Sequence, residues 1–103
     1  MKIYVIHASN YPNYKEDLYK KIRDSELDQR YTITFPHEKS EQPIKSKDII
    51  TNSDLIIAEV SYPSTGLGIE LGWADADLRK ILCIHKAGTS PSSSLKVISS
   101  HFI

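Results

Sequence analysis

The sequence predicts a single α/β domain, a flavodoxin- or Rossmann-like parallel sheet of about five strands with helices on both faces. Three observations predict it. Short β-branched and aromatic runs alternate with helical spacings along all 103 residues, in units that favour strand–helix alternation. The run Leu55, Ile56, Ile57, Ala58, Val60 is apolar on both faces, as a strand covered by two helix layers must be. It breaks at Pro63-Ser64-Thr65-Gly66 and restarts with Leu67, Leu71, Ala74 and Leu78, which share one helix face.

Each element has its own signal. Lys2 to His7 is a β-branched and aromatic first strand, followed by a loop at Ala8-Ser9-Asn10-Tyr11-Pro12. Asn13 and Glu16 have capping-box spacing, and Tyr14, Leu18 and Ile22 give the next helix an apolar face. Tyr31 to Phe35 alternates as a second strand and stops at Pro36; His37 to Pro43 is polar. A short helix is expected over 44–52, a strand over 54–60, a helix over 65–79 and a fourth strand over Ile81–His85. Residues 87–94 are small and hydroxylic, a surface loop before a short helix around 92–98. His101-Phe102-Ile103 reads as the start of a fifth strand.

Composition narrows the function classes. Thirteen basic and thirteen acidic residues cancel without clustering, so a nucleic-acid polymer is not an expected partner, while a small anion is. No apolar run approaches membrane-spanning length and no signal-peptide pattern opens the chain, which places the expectation in the cytoplasm with no membrane partner. Cys83 sits in an apolar strand and reads as core. His37, His85 and His101 show no ligand spacing; no metal and no cofactor are expected.

In parallel sheets ligands bind beyond the carboxyl ends of the strands, where strand order reverses. That puts the loop after strand one, His7 to Asn13, beside the turn after strand three, Ser61 to Gly68. Ser64 or Thr65 can cap the helix, Gly66 and Gly68 let backbone approach a ligand, and the first-turn amides attract a phosphate or carboxylate. A well-capped helix needs the same residues. Glu70 tips the reading, because the helix ties this carboxylate to the crevice, where it can attack an electrophilic sugar carbon.

The run D-L-I-I-A-E-V-S-Y-P-S-T-G-L-G-I-E-L-G-W-A from Asp54, with K-I-Y-V at the start and I-L-C-I-H-K later, resembles the nucleoside 2-deoxyribosyltransferase superfamily. That group includes the 2'-deoxynucleoside 5'-monophosphate N-glycosidases. The resemblance implies Glu70 as the nucleophile that forms a covalent deoxyribosyl intermediate. Tyr4 would contact it and help set its ionisation. Ser64 and Gly66 match the phosphate turn, and Ser94 a serine supplied across a dimer interface, so a homodimer or higher homo-oligomer is expected. His7, Ala8, Asn10 and Gly68 complete the expected substrate contacts.

Three departures accompany it. The family's catalytic acid lies eight positions before the aspartate opening strand three, and Ser46 stands there. Asp48 is the nearby carboxylate, but two positions along a continuous helix turn a side chain by about 200°; it serves as the acid only if the helix starts later or residues are deleted. His7-Ala8-Ser9-Asn10 replaces a glycine–serine pair, and relatives continue past the position of Ile103, so the chain is a compact variant or a shortened one. The expected function is cleavage or transfer of the N-glycosidic bond of a deoxynucleoside or its 5'-monophosphate. Ser64, where a free-nucleoside transferase would place an acid, favours the phosphate-bearing substrate and hydrolysis. The alternative is a nucleotide-binding or sensing module that has lost catalysis, with a flavodoxin-like binder of another small ligand behind both.

Overall fold

A computed structural model describes residues 1–40 and 45–103. Four parallel strands form one sheet: β1 Lys2–His7, β2 Thr32–Thr34, β3 Leu55–Glu59 and β4 Lys80–Ile84, in the order β2-β1-β3-β4. The expected fifth strand is reduced to one parallel bridge, Cys83 to Phe102, framed by hydrogen bonds between β4 and residues 101–103. This is the flavodoxin-like order, and its reversal point lies between β1 and β3. The register pairs His7 with Glu59 at that crevice.

The helices are α1 Lys20–Arg23, which continues a π-helical turn at Lys15–Tyr19, then α2 Glu26–Arg30, α3 Lys47–Thr51 and α4 Thr65–Ala76. A 3-10 turn occupies Ser93–Val97. The alternation of β1 divides the core. Tyr4, Ile6 and Ala8 pack with Ile56, Ala58, Leu67, Leu71 and Ala74 on the α4 face; Ile3 and Val5 pack with Leu18, Tyr19, Ile33 and Phe35 on the α1 face. Cys83 is buried, as a core strand residue should be. No described helix is long and apolar enough to cross a membrane.

Local departures have local causes. The expected capping box at Asn13 does not form: Asn13 adopts a left-handed φ of 56°, and the cap position falls on Tyr14, whose side chain does not cap the helix. The helix at Glu26–Arg30 had no sequence reading. The third helix was expected from Ile44; that residue and the end of the polar run, 41–43, lie outside the described residues, and the helix starts at Lys47.

Leu78 is corrected from the buried face of α4 to 88% exposed. The helix ends at Ala76, Leu78 turns left-handed at φ 57°, and Arg79 N–H closes back on the Ala74 carbonyl at 2.9 Å. That position normally takes glycine. Leu78→Gly is therefore expected to raise the urea midpoint, by about 1 kcal/mol of stability; an unchanged or lower midpoint contradicts the strain.

Candidate functional site

The carboxyl ends of β1, β2 and β3 and the start of α4 enclose a cleft of about 240 Å3, lined by His7, Ser9, Pro36, His37, Ser46, Ser64, Gly66, Leu67, Ile69, Glu70 and Trp73. α4 supplies two kinds of group to it. At its start, Ser64 is an extended N-cap residue whose Oγ accepts from Leu67 N–H at 3.2 Å. The amides of Thr65 and Gly66 then have no acceptor within the helix, and no acidic side chain occupies the first turn. An anion fits there. One turn on from Gly66, about 6 Å along the axis, Glu70 presents its carboxylate to the same cleft.

The turn before α4 is braced from below. Glu59, buried at the end of β3, accepts from Ser61 N–H at 2.7 Å and from Ser61 Oγ at 2.9 Å. Ser61 Oγ in turn accepts from Lys86 N–H at 2.7 Å, tying the β3 and β4 loops together. Lys86 Nζ pairs with Asp17 at 2.8 Å, and Asp17 also accepts from Tyr11 Oη at 2.7 Å. One polar chain thus holds the loops after β1, β3 and β4 at fixed distance.

Glu70 accepts a 2.5 Å hydrogen bond from Ser46 Oγ. Burial raises its pKa above the ordinary 4.5, while the Ser46 bond and nearby His37 pull it back. Ser46 is the cap residue of α3 and is itself buried. Tyr4 lies behind this pair, fully buried, and its Oη makes no hydrogen bond among the described residues. It lies within the field of Glu70: burial first, then that charge, pushes the phenol well up, against a small opposing pull from Ser46. The direct partner of Glu70 is therefore the Ser46 hydroxyl, with Tyr4 acting through space.

Asp48 does not reach the cleft. It is exposed in the first turn of α3 and lines a groove with Lys2, Thr32 and Asn52 at the opposite end of the strands. The expectation that it replaces the acid at position 46 is corrected on this geometry: although α3 starts at Lys47, later than expected, Asp48 lies at the other end of the strands while Ser46 keeps the place beside Glu70. Ser94 and Gly68 line a separate hollow with Pro63, Leu67 and Leu95 on the far side of the α4 N-terminus, and Ser64 borders both spaces. Ala8 is buried and offers its carbonyl to His7 Nδ1; Asn10 is exposed and does not line the cleft.

His37 is the residue that sequence reasoning passed over. It stands just past Pro36, and because β2 lies beside β1 its loop opens onto the same crevice. The signal was a histidine at the carboxyl end of a parallel strand. Its Nδ1 meets the Ser40 carbonyl at 3.3 Å, so that nitrogen carries hydrogen and Nε2 is the one left for exchange.

No family profile matches the chain. A 5-hydroxymethyl-dUMP N-hydrolase from Esox lucius is 35% identical over 86 residues, which cover 82% of this chain and 58% of that protein. One from Danio rerio is 44% identical over 48 residues, 45% of this chain and 34% of its own length. Over 82% of its length the chain is thus similar in sequence to a 5-hydroxymethyl-dUMP N-hydrolase. It spans between about a third and somewhat over half of the length of these two curated relatives.

Solved structures agree on the fold. A 2-desoxiribosyltransferase from Leishmania mexicana matches with a TM-score of 0.65 at 23% identity, over 82% of this chain and 63% of that one. A CMP N-glycosidase from Clostridium botulinum matches with a TM-score of 0.67 at 20% identity, over 100% and 88% of the two chains. The solved structures thus share the fold, and the sequence relatives bear N-hydrolase names.

Proposed function

We propose that this chain hydrolyses the N-glycosidic bond of 2'-deoxynucleoside 5'-monophosphates, with Glu70 as nucleophile. The observation that carries the reading is the pairing on α4 of a half-buried carboxylate with an anion-ready helix start one turn away. The gap is of the size that a sugar ring and its 5' carbon bridge. The N-hydrolase names of the sequence relatives point to the same substrate class.

In this reading the Thr65 and Gly66 amides and the Ser64 cap bind the 5'-phosphate, and His7 and Trp73 wall the cleft. A Glu70 oxygen attacks C1', the C1'–N bond breaks, and its electron pair leaves on the base. His37, protonated on Nε2, gives the departing base its proton. Water then gives a proton to the now neutral His37 Nε2 and attacks C1' of the glycosyl ester, releasing deoxyribose 5-phosphate and regenerating the Glu70 carboxylate and the protonated His37. Ser46 holds that carboxylate in place; Tyr4, kept as a neutral phenol, completes the wall behind it. In this reading Ser94 comes to the phosphate from a second copy of the chain; within one chain it lines the hollow on the other side of Ser64. A monomer at micromolar concentration in sedimentation would remove that role.

The test compares free-base release from deoxynucleoside monophosphates and from the matching nucleosides. Monophosphates are expected to be preferred, and Ser64→Ala to weaken that preference and cost about 1 kcal/mol of stability through the lost cap. Equal turnover of nucleoside and monophosphate contradicts the phosphate site. The second reading, binding without catalysis, has its own observation: the acid position carries Ser46 and Asp48 lies elsewhere. It predicts a nucleotide-induced rise in melting temperature with no base released over long incubation.

A further inference from the structure

Tyr19 on the π-helical turn does not line the cleft, yet its hydroxyl joins two residues that do. Its Oη lies 2.6 Å from His7 Nε2, and His37 N–H donates to the same oxygen at 3.3 Å. His7 Nδ1 lies 2.8 Å from the Ala8 carbonyl, which can only accept, so Nδ1 carries the ring hydrogen. In the neutral ring Nε2 must then accept, and Tyr19 must donate. Each hydrogen in the chain His37 N–H, Tyr19 O–H, His7, Ala8 carbonyl therefore has one direction. Tyr19 grips the loop after β2 a second time, because its ring stacks on Phe35, 4.2 Å away at 26°, just before Pro36 and His37.

We infer that Tyr19 is a positioning residue: its hydroxyl donates to Nε2 of His7, whose Nδ1–H the Ala8 carbonyl fixes, and so holds that ring and the His37 loop together, setting the cleft wall that faces Glu70. The His7 and His37 rings stand 6.2 Å apart at 74°, edge to face, in the arrangement this lock maintains. Tyr14 lies tilted against the His7 ring, centroids 4.7 Å apart, and supports it as well. Both nitrogens of His7 are thereby engaged, so it meets a ligand as a neutral aromatic surface and takes no part in proton transfer. The consequence for function rests on the deoxynucleotide reading above; the lock itself does not.

Imidazole 15N spectra of the full chain read the lock directly, and dUMP serves as the probe ligand. The wild-type protein is expected to show His7 as a single Nδ1–H tautomer. In Tyr19→Phe, which keeps the stack on Phe35, the His7 Nε2 resonance, freed of its donor, and the His37 amide resonance are both expected to move. dUMP affinity should fall about fivefold, the worth of one ordinary neutral hydrogen bond. Phe35→Leu loosens the same packing without touching the hydroxyl and should leave the His7 Nε2 resonance unchanged. A wild-type Nε2–H tautomer, or a Tyr19→Phe spectrum unchanged at His7 and His37, overturns the lock. Altered spectra with unchanged dUMP affinity overturn its role in the cleft. A wild-type protein that ignores dUMP counts against the proposed activity, and the imidazole spectra then decide the lock by themselves.

Discussion

Glu70→Gln is expected to abolish base release and at the same time to raise the melting temperature at neutral pH. The loss should be at least about a thousandfold, because the amide has no nucleophilic oxygen and no other described carboxylate lines the cleft. The gain follows from the same burial. Desolvation places the folded-state pKa of Glu70 above its unfolded value. In the interval between the two, the folded protein holds a proton that the unfolded chain has released, so stability falls as pH rises through that interval. Above it the ionised group carries the full penalty, which the neutral amide removes while still accepting from Ser46. Turnover should run the other way, falling on the acid side with an apparent pKa above 4.5, as the nucleophile becomes protonated. Circular-dichroism melts at neutral pH and a pH profile of base release check both signs. A less stable Glu70→Gln, or an acid limb below 4.5, contradicts the burial account.

His37→Ala is expected to lower kcat about a hundredfold with little change in KM, the usual worth of a positioned general acid. Its Nδ1 is occupied by the Ser40 carbonyl, so the proton it delivers sits on Nε2. Substrates whose base leaves readily as an anion need that proton less. The variant should therefore lose far less on them than on a purine or pyrimidine that must be protonated to leave. An equal loss across leaving groups in steady-state kinetics would assign His37 to binding alone.

The two residues were unequally visible in the sequence. The strand–turn–helix from Asp54 was legible because a two-sided apolar strand and a helix face of fixed period surround Glu70, and neither pattern has another simple reading. β1 was legible for the same reason, through its alternation and β-branching. His37 was not, because its place depends on strand order: nothing local says that β2 lies beside β1 rather than at the far edge. Ser46 and Asp48 show the limit from another side. Their two-residue spacing said that the side chains part but not which of them faces the cleft: α3 starts at Lys47, with the Ser46 hydroxyl on Glu70 and the Asp48 carboxylate in solvent. Leu78 and Asn13 failed where backbone sign matters, since each takes a left-handed conformation that sequence rules assign first to glycine.

The central claim is that Glu70 forms a covalent bond to C1' of a deoxynucleotide. Intact-mass analysis of the protein quenched in acid during turnover of dUMP tests it most directly, with peptide mapping to locate the added mass. The account predicts a deoxyribose 5-phosphate adduct on the peptide carrying Glu70, absent from Glu70→Gln. Base release that proceeds at full rate in Glu70→Gln, or an adduct mapped to any other side chain, would contradict it.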